Sequence, residues 1–126
     1  MSRFGLPPRA RLLKPADFAA LRRASRRIGG RHFLAEVALT PRDTARLGQA
    51  VSRRVSKRAV DRNRIKRVVR DSYRHVRADL PACDLLLIAR PSAVAAPNAE
   101  LRADLERLWQ RIAALKVEAA AGTMRD

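Results

Sequence analysis

The chain has 126 residues, 47% hydrophobic and 32% charged, which excludes wholesale disorder and fits one domain with an aliphatic core. Lys and Arg number 28 against 12 Asp and Glu, and this net +16 attracts polyanions, with nucleic acid or an anionic membrane surface as the candidate partners. No apolar run reaches the ~18 residues of a membrane span, residues 1–15 hold no signal-type apolar stretch, and a lone Cys83 allows neither an internal disulfide nor a zinc cluster, so a soluble, cytoplasmic protein that does not enter the membrane is expected.

Residues 1–14, with Gly5, Pro7 and Pro8, read as an irregular basic lead-in. Pro15 suits a first helical position, and Asp17, Phe18, Leu21 and Ser25 follow at helical spacing, predicting a short first helix. Gly29-Gly30 breaks it, and Ile28 opens a short strand just before the break. Phe33, Ala35, Val37 and Leu39 then alternate through residues 31–40, a strand pattern. Pro41-Arg42-Asp43 reads as a turn, and a second alternating run, Leu47, Gln49, Val51 and Arg53, fills residues 46–54. Residues 60–80 form the clearest helix. Ile65, Val69, Tyr73, Val76 and Leu80 share one arc, and Asn63, Lys66, Arg67, Arg70, Arg74 and Arg77 occupy the next. Asp61 suits the N-cap or first turn, and Pro81 stops the helix. The apolar run at 84–89 has the length of a central strand covered on both faces, although a buried helix fragment would look similar. A loop at Pro91, Pro97 and Asn98 leads to a last helix, about residues 100–117, burying Leu101, Leu105, Leu108, Trp109 and Ile112. The Ala-rich tail after Glu118 is expected to fray. This order predicts a single α+β layer pair, with helices packed on one sheet.

Between Ser52 and Arg77 stand eleven Lys or Arg and only two acids, Asp61 and Asp71. A solvated helix face would interleave acids for i,i+4 pairing. A nearly pure cationic stripe instead needs an anion from outside the chain. DNA recognition normally uses a compact helical scaffold. A basic helix between strands is more like RNA-binding sheet proteins, although charge pattern alone leaves both open.

The stretch Val51-Ser52-Arg53-Arg54, Lys57-Arg58-Ala59-Val60-Asp61 and Arg62-Asn63-Arg64-Ile65-Lys66-Arg67-Val68-Val69-Arg70-Asp71-Ser72-Tyr73-Arg74 closely resembles the signature of the bacterial ribonuclease P protein family. Every fixed position of the hallmark R-N-R-x-K-R-x-x-R-[ED] is met. Arg11-Leu12 through Asp17-Phe18, Arg46-Leu47-Gly48 and the strand from Asp84 to Arg90 are also similar to the family, so the likeness spans nearly the whole chain. The resemblance implies an α+β sandwich of order αβββαβα, with a four-stranded sheet and a left-handed β-α-β crossover at the motif helix. It implies one RNA-binding domain over residues 1–126, with about 1–10 and 118–126 flexible. It implies a protein subunit that binds ribonuclease P RNA and the 5′ leader of precursor tRNA, while the RNA subunit holds the catalytic Mg²⁺. The isolated protein is then expected to be inactive. The alternative is a ribosomal or general RNA-binding protein, which would account for the charge but not for the full signature.

By the same resemblance Arg62, Asn63, Arg64, Lys66, Arg67, Arg70 and Arg74 bind the RNA subunit, with guanidinium forks on phosphates and Asn63 on sugar or base edges. Arg64 lies off the stripe on the helical wheel, leaving another RNA segment or the fold itself as its partner. Phe18, Arg22, Phe33 and Arg54 are the leader-binding candidates, the aromatic rings stacking unpaired bases. Core packing is the competing reading for Phe18 and, more strongly, for Phe33, which alternates with Ala35 and Val37. Arg53 and Arg54, taken as adjacent strand positions, would face opposite sides, and Arg54 matches the family's cleft lysine. Arg22 and Glu36 depart from family aromatics, and nothing in the sequence accounts for a carboxylate at Glu36. His32, His75 and Cys83 have no ligand or catalytic spacing, and no carboxylate pair is placed for two metals, so no catalytic residue or bound metal is expected in the protein.

Overall fold

The computed structural model of the chain describes residues 26–39 and 45–125, with side chains described as far as Leu115. The expected first helix, with Phe18 and Arg22, and the expected turn at Pro41-Arg42-Asp43 lie outside the described residues.

Four strands, β1 (Arg26–Gly29), β2 (Phe33–Leu39), β3 (Arg46–Ala50) and β4 (Cys83–Ala89), form one sheet of order β1-β2-β4-β3. β1 and β2 make an antiparallel hairpin, β2 and β4 pair antiparallel, and β3 and β4 pair parallel. Parallel neighbours require a crossover. The helix α1 (Ala59–Val76) supplies it, and α2 (Asn98–Arg125) follows β4. The apolar run at 84–89 is thus the central strand its composition suggested, with every residue but Ile88 buried.

Most of the large apolar side chains gather on one face of the sheet. Phe33, Ala35 and Val37 of β2 and Leu85 and Leu87 of β4 meet Ile65, Val69 and Tyr73 of α1 and Leu101, Leu105, Leu108 and Ile112 of α2. Period-2 alternation in the strands and period-3.6 in the helices aim both sets at the same layer. The rings of Tyr73 and Trp109 pack tilted with centroids 5.8 Å apart, and Trp109 Nε1–H donates to Ser72 Oγ at 2.7 Å, joining α1 to α2. The Tyr73 hydroxyl is buried without a hydrogen-bond partner among the described residues. Ala38 and Leu86, with Ala50 and Ile88, make a smaller cluster on the opposite face.

Three boundaries differ from the sequence reading. The second run ends at Ala50, and a turn closed by Val55 N–H to Ser52 O (3.0 Å) replaces its second half, so Arg53 and Arg54 are exposed turn residues rather than adjacent strand positions. Val55, buried at the tip, anchors that turn in the core. The motif helix closes at Val76 and tightens into a single 3-10 turn, Arg77–Asp79, before Pro81. The last helix spans Asn98–Arg125 rather than about residues 100–117.

The hairpin between β1 and β2 is clamped to α2. Asp104, 1% exposed, accepts the backbone N–H groups of Arg31 and His32 at 2.9 Å each. His32 is buried and bridges Ser92 Oγ (2.8 Å) and Glu100 Oε2 (2.7 Å). Gly30 is required here, because a Cβ would lie 2.8 Å from Asp104 Oδ2. His32 thus ties the hairpin to the start of α2. Glu36, unexplained by the sequence, is 6% exposed and sits opposite Arg27 in the β1–β2 register, with Arg27 Nη2 3.9 Å from its carboxylate.

Candidate nucleic-acid interface

The basic segment begins at the turn after β3. Arg58 is the N-cap of α1 and makes no side-chain cap. Ser56 braces the entry to the helix: its Oγ donates to Asp61 Oδ2 at 2.8 Å and accepts the Arg58 N–H at 3.1 Å. Asp61 is thus a first-turn acid rather than the cap, favourably placed against the positive end of the helix dipole. Arg62 Nη1 donates to Ser56 O at 2.9 Å, holding the first turn from outside.

Burial of Ile65, Val68, Val69 and Tyr73 fixes the roll of α1, and Gln49 Nε2–H to Lys66 O (3.3 Å) ties it to β3. The opposite side therefore faces outward. Asn63, Arg67, Arg70 and Arg74 are exposed along it, and Arg62 and Lys66 are half-buried at its margin. At 1.5 Å per residue the row from Asn63 to Arg74 is roughly 16 Å long. Arg74 donates to Asp71 Oδ1 at 2.8 Å, whereas Arg67 and Arg70 make no hydrogen bond or ion pair among the described residues. Arg53, Arg54, Lys57 and Arg58 extend the exposed positive surface around the N-terminus of the helix. Such a surface can bind phosphates through paired N–H donors.

Arg64 does not belong to this row. Its Nη1 donates to Ala96 O (3.2 Å) and Asn98 Oδ1 (2.6 Å), and its Nη2 to Val94 O (3.0 Å) and Ala93 O (3.4 Å). Of the two partners left open by the helical wheel, the structure selects the fold. Arg64 hooks α1 to the 3-10 turn at Pro91–Val94 and to the start of α2.

Of the leader-binding candidates, Phe33 and Arg54 lie among the described residues. Phe33 is 1% exposed in the helix-side core, paired in register with Ala89, so its ring offers no face to a base. This corrects its assignment as a stacking residue: alternation places it with Ala35 and Val37, on the covered side of the sheet. Arg54 is exposed beside the N-terminus of α1, its N–H bonded to Ser52 Oγ at 3.2 Å. Phe18 and Arg22 lie outside the described residues. Sequence reading missed Asn98 and Arg102, which line a cavity with the stripe, because no local pattern links α2 to α1.

Among the described residues no group of His, Cys, Asp and Glu has the arrangement of a metal site, and no helix is long and apolar enough to cross a membrane.

Comparison with known proteins agrees with this architecture. The family described as Ribonuclease P matches residues 6–113. The chain is 38% identical over 108 residues to the ribonuclease P protein component of Thioalkalivibrio sulfidiphilus, covering 86% of this chain and 90% of that one. It is 52% identical over 79 residues to the corresponding component of Xanthomonas axonopodis pv. citri, covering 63% of this chain and about half (54%) of that longer one. Among solved structures it resembles a Staphylococcus aureus RNase P protein mutant, described as having defective mRNA degradation activity. The TM-score is 0.77 at 28% identity, over 81% of this chain and 86% of the other.

Proposed function

This chain belongs to the ribonuclease P protein family, and we propose that its α1 stripe docks the ribonuclease P RNA so that the assembled particle removes the 5′ leader of precursor tRNA. The chain is a ribonuclease P subunit, a role in tRNA 5′ maturation. The observation that carries the docking is the exposed row Asn63, Arg67, Arg70 and Arg74, in which Arg67 and Arg70 have no hydrogen bond or ion pair among the described residues. Like charges aligned on one helix face raise its energy unless an external anion neutralises them. In this proposal catalysis belongs to the RNA, which holds the Mg²⁺, and the protein supplies binding energy in the cytoplasm where precursor is made. The leader would be met by Phe18 and Arg22, with Arg54 at the margin of the basic surface.

The test is binding of the RNA subunit across a salt series. Arg70→Ala should leave the melt unchanged, weaken binding, and lower the slope of log affinity against log salt by about one unit. An unchanged slope in a folded variant would remove Arg70 from the interface. RNA-free protein should not cleave precursor tRNA, and leader removal by it would overturn the assignment of catalysis to the RNA. The description of the S. aureus mutant makes mRNA the second substrate for that same assay. For the leader, Phe18→Ala should weaken precursor binding more than mature tRNA binding, because only the precursor carries the stacked bases.

A further inference from the structure

The row of cations on α1 does not end on a flat surface. Between α1 and the first turns of α2 lies a cavity of about 620 Å³, lined by Arg64, Arg67, Arg70 and Arg74 from one side and Asn98 and Arg102 from the other, with Val68 among its walls. That volume falls inside the ~300–1,000 Å³ of small-ligand sites. Asp71 is the only acid among its lining residues, and Arg74 already engages it at 2.8 Å. Arg67, Arg70 and Arg102 are exposed and make no ion pair among the described residues.

The cavity is also rigidly built. Arg64 holds its two walls together through the carbonyls of Ala93, Val94 and Ala96 and through Asn98 Oδ1. A guanidinium can only donate, so Asn98 must present its carbonyl oxygen to Arg64. Its NH₂ is then the end left to donate to a ligand. Duplex phosphates need only a cationic face. A recess with guanidinium planes at its rim, an apolar side chain in its wall and an oriented amide donor suits something else: an unstacked base with its own phosphate.

We infer that this groove seats one unpaired nucleotide of the ribonuclease P RNA, with Arg102 pairing its phosphate and the Asn98 amide donating to an acceptor on its base. The inference rests on the docking proposed above and assigns two residues outside the signature to the same interface. It makes α2, and not only α1, part of the RNA-binding surface.

The experiment uses the full-length protein, the RNA subunit, and chemical probing of base edges and of the sugar–phosphate backbone at saturating protein. Arg102→Gln is an exposed change, and a thermal melt confirms that it folds. The wild type should protect the base edge of an unpaired nucleotide, and R102Q should lose that protection locally. R102Q should also bind about tenfold more weakly, with a salt slope lower by about one unit. R102K, which keeps the charge without the fork, should restore the slope. Wild-type affinity and footprint in R102Q would overturn the inference. Loss of backbone protection alone, with no base edge involved, would also overturn it by identifying a paired segment. R67A and R70A are run alongside: if R102Q is silent while they weaken binding, only the groove fails. If all three are silent, the docking itself fails.

Discussion

Arg64→Ala separates folding from binding within a single motif. The substitution removes four donated bonds that connect residues 30 or so positions apart in the chain, to Ala93, Val94, Ala96 and Asn98. A hydrogen bond from a charged donor contributes about 1.5–3 kcal/mol, but the four share one guanidinium and do not add. Ala93 and Ala96 are buried, whereas Asn98 is exposed and Val94 half-buried, so water replaces only part of the lost bonding. A net cost of about 2 kcal/mol follows, and for a domain of this size that lowers the melting temperature by roughly 8 °C. The assay is a urea or thermal melt of the free protein beside RNA-subunit affinity over a range of salt. The melt should shift, while the salt slope stays at the wild-type value because Arg64 pairs with no phosphate. Arg64→Lys should recover only part of the stability, since one ammonium cannot span carbonyls on both sides of the fork. An unshifted melt together with a slope reduced by one unit would refute this assignment and return Arg64 to the RNA interface.

Phe33→Ala should cost roughly 3–5 kcal/mol of stability, as for other fully buried rings, with precursor and mature tRNA affinities of the holoenzyme falling together; a selective loss for precursor would restore Phe33 to the leader site. Gly30→Ala should destabilise by about 1–3 kcal/mol in a denaturant melt, because its Cβ would meet an Asp104 carboxylate pinned by two backbone amides and unable to retreat; an unchanged midpoint would show that the clamp yields. Burial, with the Asp84 carboxylate beside it, pushes the Cys83 thiol up from 9.0 to about 12. The folded state then holds this proton more tightly than the unfolded chain, so its contribution to stability is complete below pH about 9 and is lost as pH rises toward about 12. At pH 8 the thiol should react with a disulfide reagent only on unfolding, and rapid labelling of folded protein would contradict its burial.

Much of this protein was legible before any coordinates. Charge density between Ser52 and Arg77 pointed to a polyanion, since a helix with eleven cations and two acids around it has too few internal partners. Periodicity separated Ile65, Val69 and Tyr73 from Asn63, Arg67, Arg70 and Arg74, because each helical residue advances by a fixed angle whatever surrounds it. The same locality made the apolar run that follows Asp84 readable as a central strand. The tertiary structure alone decided what depends on residues far apart in sequence. Nothing near Asp104 indicates that its carboxylate caps the Arg31 and His32 amides 72 and more positions away, or that Glu36 has Arg27 across the hairpin. The wheel could place Arg64 off the stripe, yet only the packing of α1 against the turn before α2 brought carbonyls within its reach. Arg53 and Arg54 alternate like strand residues, but β3 ends at Ala50 and burial of Val55 bends the chain into a turn. The groove that joins Arg102 to Arg67 and Arg70 exists because two helices cross, and a crossing leaves no periodic trace in either sequence.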